Sequence, residues 1–382
     1  MPTTTLLAVP PVASPAPSAE TDAALPVSMH ALVYRGPGQR AWTEMPTPGC
    51  TARGDAIVRI TTSTICGTDL HILKGDVPTV TAGRILGHEG IGIVAATGAG
   101  VTRFTRGDLV LISCITACGI CDACRAAMPS HCATGGWILG NTIDGTQAEY
   151  VRIPHADTSL YHLPPGIDMD AAVLLSDILP TAYECGVLNG RVAPGATVAI
   201  VGAGPIGLSA LITAQLYSPG SLIVIDRDAH RLNWASALGA TSVVNSSDED
   251  AVARIMTLTN GAGVDVAIEA VGTPAAFDTC QRIVGAGGHI ANVGVHGAPV
   301  TLHLESLWDR NITLTTRLVD AVTTPLLLTL MLAGKVRASS LVTHHFRLDQ
   351  VMEAYDAFGD AAATSALKVV LTGAPALTDV NS

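Results

Sequence analysis

Aromatic residues make up only 4% of this 382-residue chain, with 4 Trp, 6 Tyr and 4 Phe. A core so poor in rings must be built from Ala, Val, Leu and Ile. Basic charge is also scarce: 21 Lys and Arg stand against 32 Asp and Glu, a formal net charge of −11. Nucleic acid and anionic membrane surfaces need a basic face, so both are poor partners for this chain. No apolar run reaches the roughly 18 residues that a membrane span requires. Residues 1–28 carry almost no charge and no basic n-region, and Pro10, Pro11, Pro15 and Pro17 interrupt their apolar stretch. That makes a poor signal peptide and points to a disordered extension.

Cysteine is present but unevenly spread. Five of the nine lie between Cys114 and Cys132. Secreted domains tend to be smaller and to space their cysteines as staples, whereas local clustering in a large chain reads as metal binding in a reducing, cytoplasmic compartment. Cys118-x2-Cys121-x2-Cys124-x7-Cys132 can close a tetrahedron around one ion with no open position, the pattern of a structural zinc site. Cys114 is a fifth thiol beyond the four that complete the shell. A nucleic-acid-binding zinc ribbon is disfavoured, because Arg125 is the only Lys or Arg between Cys114 and Cys132.

A second group of metal-ligand types runs from Cys66 to Glu89. It contains Cys66-Gly67-Thr68-Asp69-Leu70-His71 and Gly87-His88-Glu89-Gly90. A catalytic zinc site takes three protein ligands and keeps one position open. Cys66 and His88 supply two of them, and the third must come from elsewhere. Asp177 is a candidate, as a carboxylate inside the apolar run Ala171–Leu179, where an unpaired charge would be expensive. A helix cap or an exposed turn is the alternative reading of Asp177.

Residues 29 to about 112 show short alternating runs bounded by Gly and Pro, the pattern of a Gly-rich β domain with no long helix. Asp170–Cys185 reads helical. Thr197–Val201 then runs as a strand into Gly202-Ala203-Gly204-Pro205-Ile206-Gly207, with a helix after it and a second strand ending in Asp226, 19 residues past Gly207. Strand, glycine turn, helix and distal acid together form the dinucleotide fingerprint. Asp226 is expected to accept hydrogen bonds from the adenosine ribose and to repel a 2′-phosphate. That favours NAD over NADP, with Arg227 as the neighbour able to accommodate the phosphate. The β/α alternation continues to Gly294 and predicts a doubly wound parallel sheet. Val271, Val293 and Val295, at expected strand ends, are candidates for contacts along the cofactor.

These residues, taken together, resemble the zinc-dependent medium-chain alcohol dehydrogenases, in particular their secondary-alcohol branch, over Met29 to Leu371. The resemblance implies an α/β chain. A Gly-rich, GroES-like catalytic domain (29–178, with the cysteine lobe at 114–132) would be followed by an NAD-binding Rossmann domain (179–319). A C-terminal segment (320–382) would return to the first. It implies Cys66, His88 and Asp177 as catalytic zinc ligands, with Glu89 in support or as a transient ligand, and two zinc ions per subunit. Asp at the third ligand position is similar to the secondary-alcohol branch. That branch often uses NADP and often lacks the structural zinc, and this chain departs from it on both counts. Trp137 resembles a substrate-pocket residue. Thr181 resembles a contact to the nicotinamide, Arg231 a basic residue beside the adenosine ribose, and Lys368 one that reaches the pyrophosphate. Thr68 and His71 would carry the proton of the alcohol to solvent, since an imidazole titrates near neutrality. Asp69 is expected to bond His88 and fix its tautomer.

The expected activity is interconversion of an alcohol and its ketone or aldehyde with hydride transfer to NAD. A polyol, amino-alcohol or formaldehyde dehydrogenase is the alternative on the same scaffold. A non-catalytic zinc- and NAD-binding regulator is the alternative from another class. A small-molecule substrate and a homo-oligomer, by resemblance a tetramer, are the expected partners.

Overall fold

The computed structural model describes residues 25–373. Most of the expected extension, residues 1–24, lies outside them, and the first strand already begins at Ser28. Among the described residues no single helix is long and apolar enough to cross a membrane.

Strands Thr197–Val201, Ser221–Asp226, Ser242–Asn245, Val264–Glu269, Val284–Asn292 and Thr313–Thr316 form one six-stranded sheet. Every pairing in it is parallel. In spatial order the strands run third, second, first, fourth, fifth, sixth, so the chain reverses its winding between the first and the fourth. Ligands of doubly wound sheets bind at the carboxyl ends of the strands at that reversal. The glycine turn lies there, at the end of Thr197–Val201. Strands buried on both faces read as continuous apolar runs, and Val198, Ala199 and Ile200 are fully buried.

The second sheet has seven strands and is mostly antiparallel. Its centre is Ala56–Ile65, which pairs with Gly90–Thr97, Tyr150–Ile153 and Lys368–Thr372. The last of these comes from the far end of the sequence. Val342–Arg347 pairs beside it in parallel. The register is specific: Ser63 faces Gly90, and Val369 faces Ile65. Residues just beyond these pairs, Cys66, His88-Glu89 and Lys368, are thereby gathered at one end of the sheet.

Two local details go beyond the sequence reading. The β domain has no long helix but carries a short one, Gly67–Lys74, starting at Cys66 and ended by Gly75 at φ 87°. The Asp69 carboxylate accepts from the Cys66 backbone N–H at 2.9 Å, one half of a capping box, and Gly75 is the left-handed stop. Both signals are in the sequence, but the helix is too short to show a clear apolar period. Asp170–Cys185 is helical but interrupted: it is broken at Asp177, whose φ of −146° and ψ of −69° lie outside the helical region. A 3₁₀ turn, Leu174–Ser176, precedes the break, and helix Ile178–Thr181 and π-helical turn Ala182–Leu188 follow it.

Gly207 carries the tightest constraint in the glycine turn. A Cβ there would lie 1.8 Å from the carbonyl oxygen of Gly202, so helix Pro205–Ala214 could not approach its strand. Gly207→Ala is expected to destabilise the protein by about 2 kcal/mol or more through this overlap, lowering Tm by several degrees. A parent-like Tm in calorimetry would show that the turn relaxes freely.

Candidate functional site

Sheet register delivers three elements of the site and the helix break delivers the fourth. Cys66 follows strand Ala56–Ile65, and His88-Glu89 precede strand Gly90–Thr97. Ser176 then binds the same edge: its hydroxyl accepts the Gly90 N–H at 3.1 Å, and its carbonyl accepts the Cys114 N–H at 3.0 Å. The broken helix therefore presents Asp177 inward. His88 Nε2 lies 3.2 Å from Asp177 Oδ2, and Cys66 Sγ lies 3.6 Å from the same oxygen. One donor atom from each of Cys66, His88, Glu89 and Asp177 falls within 4.8 Å of the others, all buried. Tetrahedral zinc with bonds of about 2.0–2.3 Å places its donors about 3.3–3.8 Å apart, so this set fits a zinc ion.

Charge supports the fit. Cys66, Asp69, Glu89 and Asp177 are four acid groups, each 9% exposed or less, and Lys368 is the buried cation among them. Burial opposes protonation of His88, but hydrogen bonds to Asp177 and Cys66 outweigh it and draw a proton onto the ring. Burial likewise pushes the Asp177 carboxyl up, and the His88 bond and charge more than offset it, holding that carboxyl far below its usual range. A metal cation held by these donors would satisfy the same field in place of that proton.

Glu89 behaves as a supporting group. Its Oε2 takes the Lys368 ammonium at 2.5 Å and a short hydrogen bond from Thr64, while Oε1 is buried without a partner. Lys368 was expected to reach a pyrophosphate. It is 1% exposed and engaged with Glu89, so it has no free surface to offer one. Asp69 was expected to bond His88, but Oδ1 lies 3.9 Å from His88 Nδ1, too far for a hydrogen bond. Its other oxygen holds the Cys66 N–H and the Gln147 amide.

Thr181 donates to Asp177 Oδ1 at 2.5 Å, one helical turn away. Cys114, left out of the expected ligand set, points its thiol at the same oxygen from 3.7 Å. No local spacing in the sequence indicates this contact, which depends on the Ser176 bridge. Trp137 packs edge-on against His88, with ring centroids 6.2 Å apart. Thr68 Oγ1 is 3.7 Å from Cys66 Sγ. His71 lies one turn along the helix with its side chain 32% exposed, and its Nδ1 is 2.9 Å from Asp76 Oδ2.

The four cysteines of the lobe are brought together. The Cys118–Cys124 and Cys121–Cys132 sulfurs are 4.0 Å apart, and all four lie within 4.8 Å of one another. Backbone N–H groups of Ile120 and Cys121 lower the Cys118 thiol to about 6, which favours the thiolate a metal needs, while desolvation raises Cys124 to about 12.

At the carboxyl end of the parallel sheet, Asp226 accepts the Ala203 N–H at 2.6 Å and the Arg227 and Asp228 N–H groups at 2.7 and 2.9 Å. Its carboxylate is thereby fixed against the glycine turn. A Cβ on Gly204 would enter open space, with only Arg231 Nη1 near, at 3.9 Å. The helix begun by Pro205 and Ile206 has no side-chain cap, so its N–H groups remain free for an anion such as a pyrophosphate. Val271 is 47% and Val295 63% exposed along this edge. Val293 packs against the cluster of Cys114 and Trp137, which joins the cleft to the ligand set.

Residues 52–165 match the model of the alcohol dehydrogenase GroES-like domain, and residues 205–331 match that of the zinc-binding dehydrogenases. An alcohol dehydrogenase of Cupriavidus necator is 37% identical over 352 residues, covering 87% of this chain and 95% of that one. The NADP-dependent isopropanol dehydrogenase of Thermoanaerobacter brockii is 33% identical over 338 residues, covering 83% and 92%. Among solved structures, a zinc dependent alcohol dehydrogenase from Streptococcus pneumonia superposes with a TM-score of 0.87 at 52% identity, covering 93% and 99%.

Breaking the Glu89–Lys368 pair from one side leaves a buried charge without a partner. Lys368→Met is expected to cost about 3–5 kcal/mol in urea unfolding, and adding Glu89→Gln should recover a large part of it. An unchanged midpoint in the single variant would mean the pair contributes nothing.

Proposed function

Because the chain belongs to the zinc-type alcohol dehydrogenase family, we propose that it is an NAD-dependent enzyme interconverting a secondary alcohol and its ketone. The observation that carries this reading is the buried convergence of Cys66, His88, Asp177 and Glu89, beside an apolar cluster that reaches Val293 at the carboxyl end of the parallel sheet. Zinc held by Cys66, His88 and Asp177 would supply Lewis acidity to the alcohol hydroxyl, and NAD would accept the hydride. A second zinc would sit in the four-cysteine lobe and order it.

The chain's own residues supply the remaining functions. Thr68, beside Cys66 at the start of its helix, takes a hydrogen bond from the alcohol hydroxyl. His71, partly exposed and oriented by Asp76, passes the proton to solvent. Trp137 covers one side of His88 and excludes water from it. Glu89, neutralised by Lys368, supports the ligand cage. Asp226 reads the adenosine ribose, and its fixed carboxylate disfavours a 2′-phosphate. Arg231 lies over Gly204, where it can flank that ribose. A small-molecule alcohol is the substrate, and we place the enzyme in the cytoplasm as a homotetramer.

The reading is tested by cofactor reduction with primary alcohols, secondary alcohols and polyols, each with NAD and with NADP. Highest kcat/KM is expected for secondary alcohols with NAD, and a flat zero across the panel would overturn the assignment. Metal analysis of the purified protein is expected to give two zinc ions per chain. Cys66→Ala and Cys121→Ala should each lose one, the first with abolished turnover; full activity in Cys66→Ala would remove that residue from the site. Asp226→Gly should shift the NAD-to-NADP ratio of kcat/KM toward NADP by about tenfold, equivalent to roughly 1.4 kcal/mol. An unaltered ratio would count against its role.

A further inference from the structure

Two buried carboxylates outside the ligand cluster bind the parts of the molecule together. Glu184 and Asp320 are 2% and 4% exposed. Glu184 lies in the π-helical turn that follows Asp177 and Thr181. Its Oε2 accepts the backbone N–H groups of Asp320 and Ala321 at 2.9 and 3.1 Å. Its Oε1 accepts the N–H and hydroxyl of Thr323 at 2.9 and 2.8 Å. Asp320 is engaged on both of its own oxygens. Oδ1 accepts the N–H and hydroxyl of Ser130 at 3.0 and 2.6 Å, and Oδ2 takes Arg317 at 2.5 Å.

Ser130 belongs to the four-cysteine lobe, two residues before Cys132. The segment from Arg317 to Thr323, which follows the edge strand of the parallel sheet, is therefore tied to the lobe on one side and to the helix after Asp177 on the other. Val319 and Ala321, flanking Asp320, belong to the apolar cluster of Cys114, Ile115 and Cys185, against which Trp137 and Val293 pack. That cluster touches the ligand set through Cys114 and Trp137. Burying a carboxylate gains little stability over apolar packing even when its lone pairs are filled. What these two add is a fixed backbone in a segment without regular structure.

We propose that the buried Val319–Ala321 segment backs the alcohol site as a wall through its packing on Cys114 and Trp137, and that Asp320 is a positioning residue that fixes this wall and couples it to the order of the four-cysteine lobe through Ser130. The proposal rests on the alcohol dehydrogenase reading. When the lobe is ordered, Ser130 holds Asp320, and Asp320 holds the wall in the shape that a branched alcohol meets. When the lobe loosens, the wall relaxes with it, and discrimination by substrate size falls before the chemistry does.

The test compares Asp320→Ala, Asp320→Asn and Ser130→Ala in the zinc-loaded full chain. Asp320→Ala and Ser130→Ala are expected to raise KM for a branched secondary alcohol about tenfold while kcat for a small one stays within about twofold. Asp320→Asn, which keeps an oxygen for Ser130, should retain most of the parent KM. Release of one zinc to a chromophoric chelator should be several-fold faster in the two alanine variants, with faster hydrogen exchange in both 317–323 and 118–132. Parallel falls in kcat and kcat/KM, an asparagine variant as impaired as the alanine, or faster exchange confined to 317–323 with unchanged zinc release would each overturn the coupling. Should Asp320→Ala not fold, Ser130→Ala carries the same comparison. A parent that oxidises no alcohol would refute the enzyme reading, while zinc release and exchange would still decide the coupling.

Discussion

The rest of the structure answers to a convergence of buried acid groups. Cys66 and Glu89 at the ends of two paired strands, Asp69 on the helix that follows Cys66 and Asp177 at the helix break come together, and one buried lysine faces them. Ionised groups removed from water need opposite charge and filled lone pairs, or they protonate. The fold meets that demand in layers. Lys368 neutralises Glu89, and Gln147 with the Cys66 N–H occupies one oxygen of Asp69. Cys66, His88 and Asp177 are left facing one another, with the proton on His88 as the positive charge beside the other two. The residual field explains both why His88 gains a proton and why the donor set suits a divalent metal. It also accounts for the chain's path. Lys368 comes from the C-terminal strand, so the cage is incomplete until that strand pairs with Ala56–Ile65.

The candidate third ligand, Asp177, ties the two sheets together. Leu174, Leu175, Ile178 and Leu179 around Asp177 lie in the same apolar core as Val198, Ile200, Leu208 and Leu211 of the nucleotide-binding sheet and its first helix. Asp177 is therefore positioned by packing that belongs to the Rossmann half, while Cys66 and His88 are positioned by the antiparallel sheet. A substrate between them lies at the junction of the two halves, which is where enzyme sites of this kind are commonly formed.

Motifs set by local spacing were legible in the sequence, and long-range pairings were not. The four cysteines of the lobe, the glycine turn and the β/α rhythm each depend on neighbours within a few tens of residues. The GroES-like and Rossmann fold classes followed from them and from the resemblance they carry. Helix Gly67–Lys74 was signalled by Cys66-x-x-Asp69 and Gly75 but was too short for periodicity to show. Lys368 illustrates the opposite case. Its partner lies 279 residues away, and only the register of a three-strand ladder brings the two together. Cys114, Glu184 and Asp320 were missed for the same reason, since each acts across a tertiary contact. The break at Asp177 was hidden because an apolar run reads the same in a continuous helix as in a broken one.

That break bears on how a carboxylate can serve at the third candidate ligand position. An Asp has two oxygens to satisfy where a thiolate has a single donor atom. Here Oδ2 faces Cys66 and His88, so Oδ1 would be left buried and unpaired. Thr181 and Cys114 occupy it from two elements, one on the helix Asp177 itself begins and one on the strand-end loop that Ser176 holds. With Oδ1 engaged, the carboxylate cannot swing both oxygens toward the ligand space, and it presents one donor in a fixed direction. An open position is a matter of ligand count, and a carboxylate free to bind through both oxygens would fill it. Thr181 and Cys114 thus do for the carboxylate what the shape of a thiolate does without help.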